Sequence, residues 1–594
     1  MSMKDFLKTV LAVICGFLVL QILGFFILAS MLGSAASSKG GKVVLPRNGV
    51  LDINLADYTL AEQSRETPSA GDFLSANFSM VRTVGLWDAV QAIEAAAADP
   101  AIRYIFLRPD ADVAGMAGLE ELRAALLNFR KSGKAVVAFL ETPGNGSYYL
   151  ATAADKIYMS TYHGASYMLL GLTSQQIYLK DILEKLGVNV QLIRHGKYKS
   201  AGEMFVRSSS SPENREQYQT LLNSAWKAYA GAIAEARDMS EEQFNALVDN
   251  LALIFPEDFL KNGLVDELMD REALVNKLCT LAQVSKREDL HLVALPDYIS
   301  ARVSHVPGRT NVAILFADGE IVDGKGNGLA ADSFVQEVDA LREDASVKAV
   351  VLRVNSPGGS VTASEKIRSA LDLLGKEKPL VASFGDYAAS GGYWISNGCS
   401  KIFADATTLT GSIGVFSMIP EFSKVSKKFG VGVESVSSNK HGDLYSLMRP
   451  FTDDEMACMQ ASVEDIYERF VTLVANSRSL EVPSVDAIAQ GRVWAGSDAL
   501  GLGLVDEIGT LKDAVLYAAS LASLVSQEDY KVVTRPAVPG VIDDLLSLLG
   551  TSHEEPTVLS GTPLEPMERS LKGLLKENKP SGVMARLPYL LEIH

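Results

Sequence analysis

Cysteine is scarce and histidine is scattered. The four cysteines, Cys15, Cys279, Cys399 and Cys458, lie far apart and show no C-x-x-C spacing. That excludes a disulfide framework or a thiolate metal site as an organising feature. Nothing in the chain calls for a metal or an organic cofactor. The histidines His163, His195, His291, His305, His441, His553 and His594 show no spacing that supports a Ser-His-Asp triad. Basic residues are outnumbered, 55 Lys and Arg against 72 Asp and Glu, for a formal net charge of -17. An acidic chain without basic clusters argues against nucleic acid as a partner.

Charge is absent altogether from Thr9 to Leu32, where Gln21 is the one strongly polar side chain. This run exceeds the roughly 20 residues that span a bilayer. It also exceeds the apolar region of a cleaved signal peptide, about 7–15 residues. The spacing therefore predicts a transmembrane anchor over 9–32. Ser34-Ala-Ala-Ser-Ser38 keeps cleavage open as the alternative. Lys4 and Lys8 precede the run; Lys39, Lys42 and Arg47 follow it. The charge count leans slightly against an exported body, but a large following domain crosses regardless of charge.

With 594 residues, 47% of them hydrophobic, the chain is long enough for two or three packed domains. Its two halves echo each other. Ile102-Arg-Tyr-Ile-Phe-Leu107-Arg108 matches Val347-Lys-Ala-Val-Val-Leu352-Arg353. Lys134-Ala-Val-Val137-Ala138 matches Lys378-Pro-Leu-Val381-Ala382. Tyr148-Tyr149 and Lys156-Ile157 match Tyr393-Trp394 and Lys401-Ile402. Gly263-Leu-Val-Asp-Glu267 recurs unchanged as Gly503-Leu-Val-Asp-Glu507. The offset stays near 245 residues throughout. Two copies of one domain are expected, over 49–280 and 309–530, with a connector at 281–308 and a tail at 531–594. Short apolar strands (Val50 to Ile53; Val312 to Phe316; Ala135 to Leu140; Leu380 to Ser383) alternate with amphipathic helices (Leu86 to Ala97; Ser333 to Arg342). That grammar predicts an α/β fold with largely parallel sheets.

The copies differ where chemistry would sit. The second carries Asn355-Ser-Pro-Gly358-Gly359-Ser360, where the first has Asp110-Ala-Asp-Val-Ala114. It also carries Gly411-Ser412, near whose offset the first has Ser166-Tyr167. The first carries Lys199, whose offset position in the second is Leu444. Each half holds what the other is missing, which points to one composite site in a shared cleft. Ser412, set between small residues, is the candidate nucleophile and Lys199 the candidate base. A lysine is ordinarily protonated at neutral pH, so this role needs a desolvated cleft. Lys197 is a close rival, two residues away on the same strand face, and Lys440 a weaker one. Backbone N–H groups of Gly359, in the Gly358-Gly359 pair, and of Ile413, after the serine, suit an oxyanion. Ser390, in Asp386-Tyr-Ala-Ala-Ser390-Gly391-Gly392-Tyr393, competes as nucleophile at a strand-to-helix turn. No histidine or acid near it in sequence serves as its base.

These motifs resemble the long form of the signal peptide peptidase A family, membrane-anchored bacterial serine peptidases. The carriers are N-S-P-G-G-S at Asn355 to Ser360, Y-A-A-S-G-G-Y at Tyr387 to Tyr393 and L-T-G-S-I-G-V at Leu409 to Val415. Y-K-S-A at Tyr198 to Ala201 and V-W-A-G at Val493 to Gly496 add to them. The resemblance runs from the anchor to about residue 530. It implies tandem ClpP/crotonase-like domains behind one transmembrane helix, with Ser412 as nucleophile and Lys199, rather than Lys197, as base. It implies a homotetramer on the outer face of the bacterial inner membrane that degrades cleaved signal peptides. In the related ClpP peptidases the nucleophile takes the A-A-S-x-G position, here Ser390, and is served by a histidine. This chain has no histidine at the matching place.

Two other classes stay open. A crotonase-like enzyme acting on an acyl thioester would use the Gly358-Gly359 donors without a covalent serine, and coenzyme A dependence distinguishes it. A catalytically silent membrane scaffold fits a degenerate first half, but not an intact Gly411-Ser412 and Lys199.

Overall fold

The computed structural model describes residues 45–64, 82–111, 114–162, 169–303, 307–326, 329–526, 528–537 and 583–586. The expected anchor at 9–32 lies outside them. Among the described residues, no helix is long and apolar enough to cross a membrane.

Two parallel sheets carry the halves. In the first, the strands run in the order Glu267–Met269, Lys156–Ser160, Val136–Leu140, Ile102–Arg108, Gly49–Asn54, Leu292–Ala294. In the second, Glu507–Ile508, Ile402–Ala404, Leu380–Ala389, Val347–Ser356, Asn311–Asp318 and Lys531–Arg535 follow the same order. These six strands correspond one for one with the first sheet, and the second sheet adds two more, Leu409–Gly411 beside Leu380–Ala389 and Val493–Ala495 antiparallel to Leu409–Gly411. Each ends on a strand beyond the sequence-expected repeat, Leu292–Ala294 within 281–308 and Lys531–Arg535 within the tail.

The recurring residues lock onto one another in both copies. The Tyr148 hydroxyl donates to the Leu264 carbonyl at 2.6 Å, as Tyr393 does to Leu504 at 2.8 Å. The Asp266 carboxylate accepts from the Ile157 N–H at 2.8 Å, as Asp506 does from Ile402 at 2.7 Å. Both faces of the second sheet are covered, which explains its continuous apolar strands. Leu352 and Ala382 pack with Phe334 and Ile367 of helices Ala331–Glu343 and Val361–Glu377. Val351 and Val381 pack with Val515 of helix Leu511–Leu521. Cys279 and Cys399 are buried and Cys458 is exposed.

A third, mixed sheet draws on both halves. Its order is Leu329–Ala330, Ile321–Val322, Gly358–Ser360, Val583–Arg586, Val415–Glu421, Asn189–His195. Asn189–His195 of the first half runs antiparallel to Val415–Glu421 of the second, from His195 opposite Val415 to Asn189 opposite Glu421.

A second junction lies beneath it. Arg353 is 1% exposed, and its guanidinium meets Glu62 at 2.8 Å and Glu121 at 2.6 Å, both from the first half. It also donates to Ser383 Oγ and the Phe384 carbonyl, each at 3.0 Å. From helix Met116–Arg130, Glu120 accepts the N–H groups of Ala406 and Thr407, each at 2.9 Å. In return Asp386 accepts the Ala117 N–H at 2.9 Å. Removing one member of such a buried set strands the others. Arg353→Met is expected to lower the unfolding free energy at pH 7 by about 3–5 kcal/mol. Denaturant unfolding checks this, and an unshifted midpoint contradicts it.

Candidate active site

The cross-half strand pair brings the chemistry together. Lys199 follows Asn189–His195 by one tight turn, and Ser412 precedes Val415–Glu421 by another. The antiparallel register therefore sets the two turns side by side. In the first turn, the Tyr198 N–H donates to the Gln490 carbonyl at 2.9 Å. The Lys199 carbonyl accepts from Arg194 Nη1 at 2.7 Å, and Arg194 pairs with the buried Glu203 at 3.2 Å. In the second turn, the Ser412 N–H donates to the Arg492 carbonyl at 2.7 Å, and the Gly491 N–H to the Ile413 carbonyl at 2.8 Å. The Gln490–Arg492 segment is thus wedged between both turns.

That wedge fits only because Gly491 has no side chain. Its φ is 76°, and a Cβ there would lie 2.5 Å from Lys199 Cβ. Gly414 serves likewise, since a Cβ there would lie 3.2 Å from Lys199 Cδ.

Lys199 is fully buried, as are Ser390 and Ser412. Its Nζ lies 2.9 Å from Ser390 Oγ, 3.0 Å from Ser412 Oγ and 3.2 Å from the Ser412 carbonyl oxygen. Burial holds the amine well below its ordinary pKa, and no neighbouring charge offsets that. The other candidates are elsewhere. Lys197 is exposed over the Tyr198 ring, and Lys440 is exposed in an ion pair with Asp454 at 2.7 Å. His195 stacks on Tyr467 and His441 bonds to Glu455. Among the described residues, no histidine hydrogen-bonds to either serine.

The contact between Lys199 and Ser390 is invisible to sequence spacing. Ser390 ends the strand Leu380–Ala389 and caps the helix Gly391–Ser396 with φ 55° and ψ -113°. Only a well-determined surrounding sustains such a backbone in a non-glycine residue. The Ser390 N–H donates to the Gly411 carbonyl at 2.8 Å, which ties the two serine turns together. Ser412 also has positive φ, at 49°.

The glycine-rich strand Gly358–Ser360 forms the opposite wall. Gly358 has φ 97°, and a Cβ there would lie 2.2 Å from the Ala585 carbonyl oxygen and 2.6 Å from the Gly391 nitrogen. Gly359 stands opposite Ala585 on one side and Ile321 on the other. Of the two expected oxyanion donors, Gly359 is the register partner of Ala585, whose carbonyl lies against the neighbouring Gly358. Ile413 sits with the Gly491 turn, its side chain in the second-half core. Gly391, which sequence reasoning passed over, follows Ser390 directly and approaches that carbonyl. The Gly-Gly after Ser390 was the available signal.

A strained serine, a buried unpaired amine and a glycine-lined peptide strand describe a serine peptidase site. Sequence comparison agrees. The profile of Peptidase family S49 matches residues 128–285 and 372–525, one segment in each half. The chain is 34% identical to Protease 4 of Haemophilus influenzae, over 94% of each chain. It is 34% identical to Protease 4 of Salmonella typhi, over 96% of this chain and 89% of that one. It is 32% identical to the chloroplastic serine protease SPPA of Arabidopsis thaliana, over 83% of this chain and 72% of that one. Among solved structures, a ClpP1 mutant of Listeria monocytogenes is similar over 34% of this chain at 16% identity and a TM-score of 0.24, too low to bear on the fold. The chain belongs to peptidase family S49 and is a serine peptidase.

Gly491→Ala is expected to push Lys199 away from both hydroxyls. A displacement of about 1 Å costs on the order of 100-fold in rate. Peptidase assays beside circular dichroism check this; a folded variant of normal rate contradicts the wedge.

Proposed function

We propose that this chain is a membrane-anchored endopeptidase that degrades cleaved signal peptides through a serine-lysine pair shared between two ClpP/crotonase-like repeats. The observation that carries it is Lys199 Nζ, fully buried and within 3.0 Å of two serine hydroxyls. An amine kept neutral by desolvation serves as a general base without histidine. The uncharged run Thr9 to Leu32 supports a membrane anchor; the bacterial inner membrane and a body on its outer face follow from the motif resemblance, against the slight lean of the flanking charges. An anchor holds the enzyme at high effective concentration near apolar peptides left in the bilayer. The relatives' printed names, Protease 4 and serine protease SPPA, support a peptidase, while the signal-peptide substrate and a homotetramer rest on the motif resemblance.

The two serines divide the work. Ser390 attacks and Ser412 steadies the lysine, which reverses the role expected of Ser412 from sequence. The backbone of Ser390 forms the sharp, strained strand-to-helix turn that exposes a nucleophile. The next residue, Gly391, approaches the same peptide carbonyl as Gly358, since a Cβ there would lie 3.0 Å from the Ala585 oxygen. Neutral Lys199 donates to the Ser412 carbonyl and hydroxyl oxygens, and its lone pair accepts from the Ser390 hydroxyl. As Ser390 Oγ attacks the peptide carbonyl, its proton passes to Nζ. The oxyanion gathers between the Gly391 and Gly359 N–H groups. Nζ then gives the proton to the leaving amine, and water hydrolyses the acyl-serine by the same route. Ser412 keeps a weaker claim to the attack through its own 3.0 Å contact.

Signal-peptide hydrolysis by Ser390→Ala, Lys199→Ala and Ser412→Ala separates these roles. Ser390→Ala and Lys199→Ala are expected to lose at least about 1,000-fold. Ser412→Ala is expected to keep measurable turnover with a lowered kinetic pKa, because an acceptor that favours the ammonium is lost. An active Ser390→Ala beside an inactive Ser412→Ala returns the attack to Ser412. The pH profile has a fixed sign. Lys199 must be neutral, so the rate rises with pH through a value below 10.5, the lysine's ordinary pKa, and falls on the acid side. A profile with no Lys199-dependent acid limb contradicts the base assignment.

A further inference from the structure

The segment Gln490–Arg492 runs directly into the strand Val493–Ala495, the start of the V-W-A-G motif. That strand lies antiparallel to Leu409–Gly411, with Val493 opposite Gly411. Arg492 therefore stands level with Ser412, and its carbonyl accepts the Ser412 N–H at 2.7 Å. Any residue could supply that carbonyl. The side chain is what makes the position specific.

The Arg492 guanidinium lies between two rings. Its Cζ is 4.6 Å from the centre of the Tyr198 ring and 4.2 Å from that of Trp494. The Trp494 indole is itself held, donating to the Ile488 carbonyl at 2.9 Å. Arg492 Nη1 meets Glu216 Oε1 at 2.9 Å, and the Tyr198 hydroxyl bonds to Oε2 of the same carboxylate at 3.1 Å. Glu216 belongs to helix Pro212–Ala236 of the first half, whose next residue, Gln217, accepts the Val493 N–H at 2.8 Å. Tyr198 directly precedes Lys199 in the chain. One residue of the second half thus holds Ser412 by its backbone and the lysine turn by its side chain.

Stability does not explain the arginine. The Glu216 side chain is 54% exposed, and such pairs are worth less than about 1 kcal/mol. Arg492 Nε is buried and has no hydrogen-bond partner among the described residues, which destabilises the fold. A planar guanidinium does fix the rotation of a ring stacked on it, as an ammonium on a flexible stem does not.

We infer that Arg492 is a positioning residue: its guanidinium, clamped between Tyr198 and Trp494, sets the distance between Lys199 Nζ and the serine hydroxyls. This rests on Lys199 as the base, and it stands whichever of the two serines attacks. Without the clamp the Tyr198 ring turns, and the lysine beside it shifts.

The test measures kcat and KM for a synthetic signal peptide in the full chain and in Arg492→Lys, Tyr198→Leu and the two combined. Arg492→Lys keeps the charge and loses the plane. Each single variant is expected to lose kcat at least about tenfold, with KM within about twofold. Because both act on one contact, the double variant is expected to fall no more than about threefold below the weaker single one. A wild-type kcat in Arg492→Lys, a loss confined to KM, or losses that multiply in the double variant overturns the inference. Glu216→Lys decides where those variants do not fold. It sets a like charge beside Arg492 from an exposed helix face and is expected to lower kcat at least about threefold; an unchanged kcat overturns the inference. An acid limb of the pH profile that survives Lys199→Ala overturns the base reading instead, and this inference with it.

Discussion

A lysine amine accepts a proton at neutral pH only where water and counter-charge are both kept away. In this chain that condition is met at the seam between two repeats. Lys199 comes from one, and the serines and the wall of glycines from the other. The antiparallel register of Asn189–His195 with Val415–Glu421 fixes the distance. A slip of one residue would turn the strand's inward side chains outward and carry the lysine turn out of step with the serine turn. Neither repeat alone has both the buried lysine and the serines beside it, so the site needs both copies.

Steric emptiness holds it as much as contact does. Gly491 and Gly414 leave room for the lysine stem, and Gly358 lets a peptide carbonyl come within reach. The strained Ser390 backbone persists because its N–H is spent on Gly411 while the following helix is packed into the core. Below, the Arg353, Glu62 and Glu121 set joins the halves near the strand that leads to Ser390. The lysine is thus preorganised by parts of the chain that are distant in sequence, which is the usual cost of a composite site.

Much of this was legible in the residues. The repeat was, because its recurring residues are those that bond to each other: Tyr148 to Leu264, Asp266 to Ile157, and their counterparts. The closeness of Lys199 and Ser412 was reachable from the complementary gaps in the two halves. Ser390 was noticed but given no base, because its contact with Lys199 crosses 191 residues and depends on the third sheet. The strand expected to end at Ser383 runs on to Ala389. Gly385 and Asp386 look like a terminus. Instead Gly385 makes room for the Glu62 and Arg353 side chains, and Asp386 accepts an N–H from the other half. The strand at 583–586 has no periodicity to announce it, since its partners are backbone groups.

The most direct measurement is the mapping of a covalent adduct. The full chain is treated with a fluorophosphonate and digested, and the modified serine is identified by mass spectrometry, in wild type and in Lys199→Met. The account predicts one adduct, on Ser390, that is lost when Lys199 is replaced. An adduct on Ser412, or one on Ser390 that forms as fast without the lysine, would contradict it.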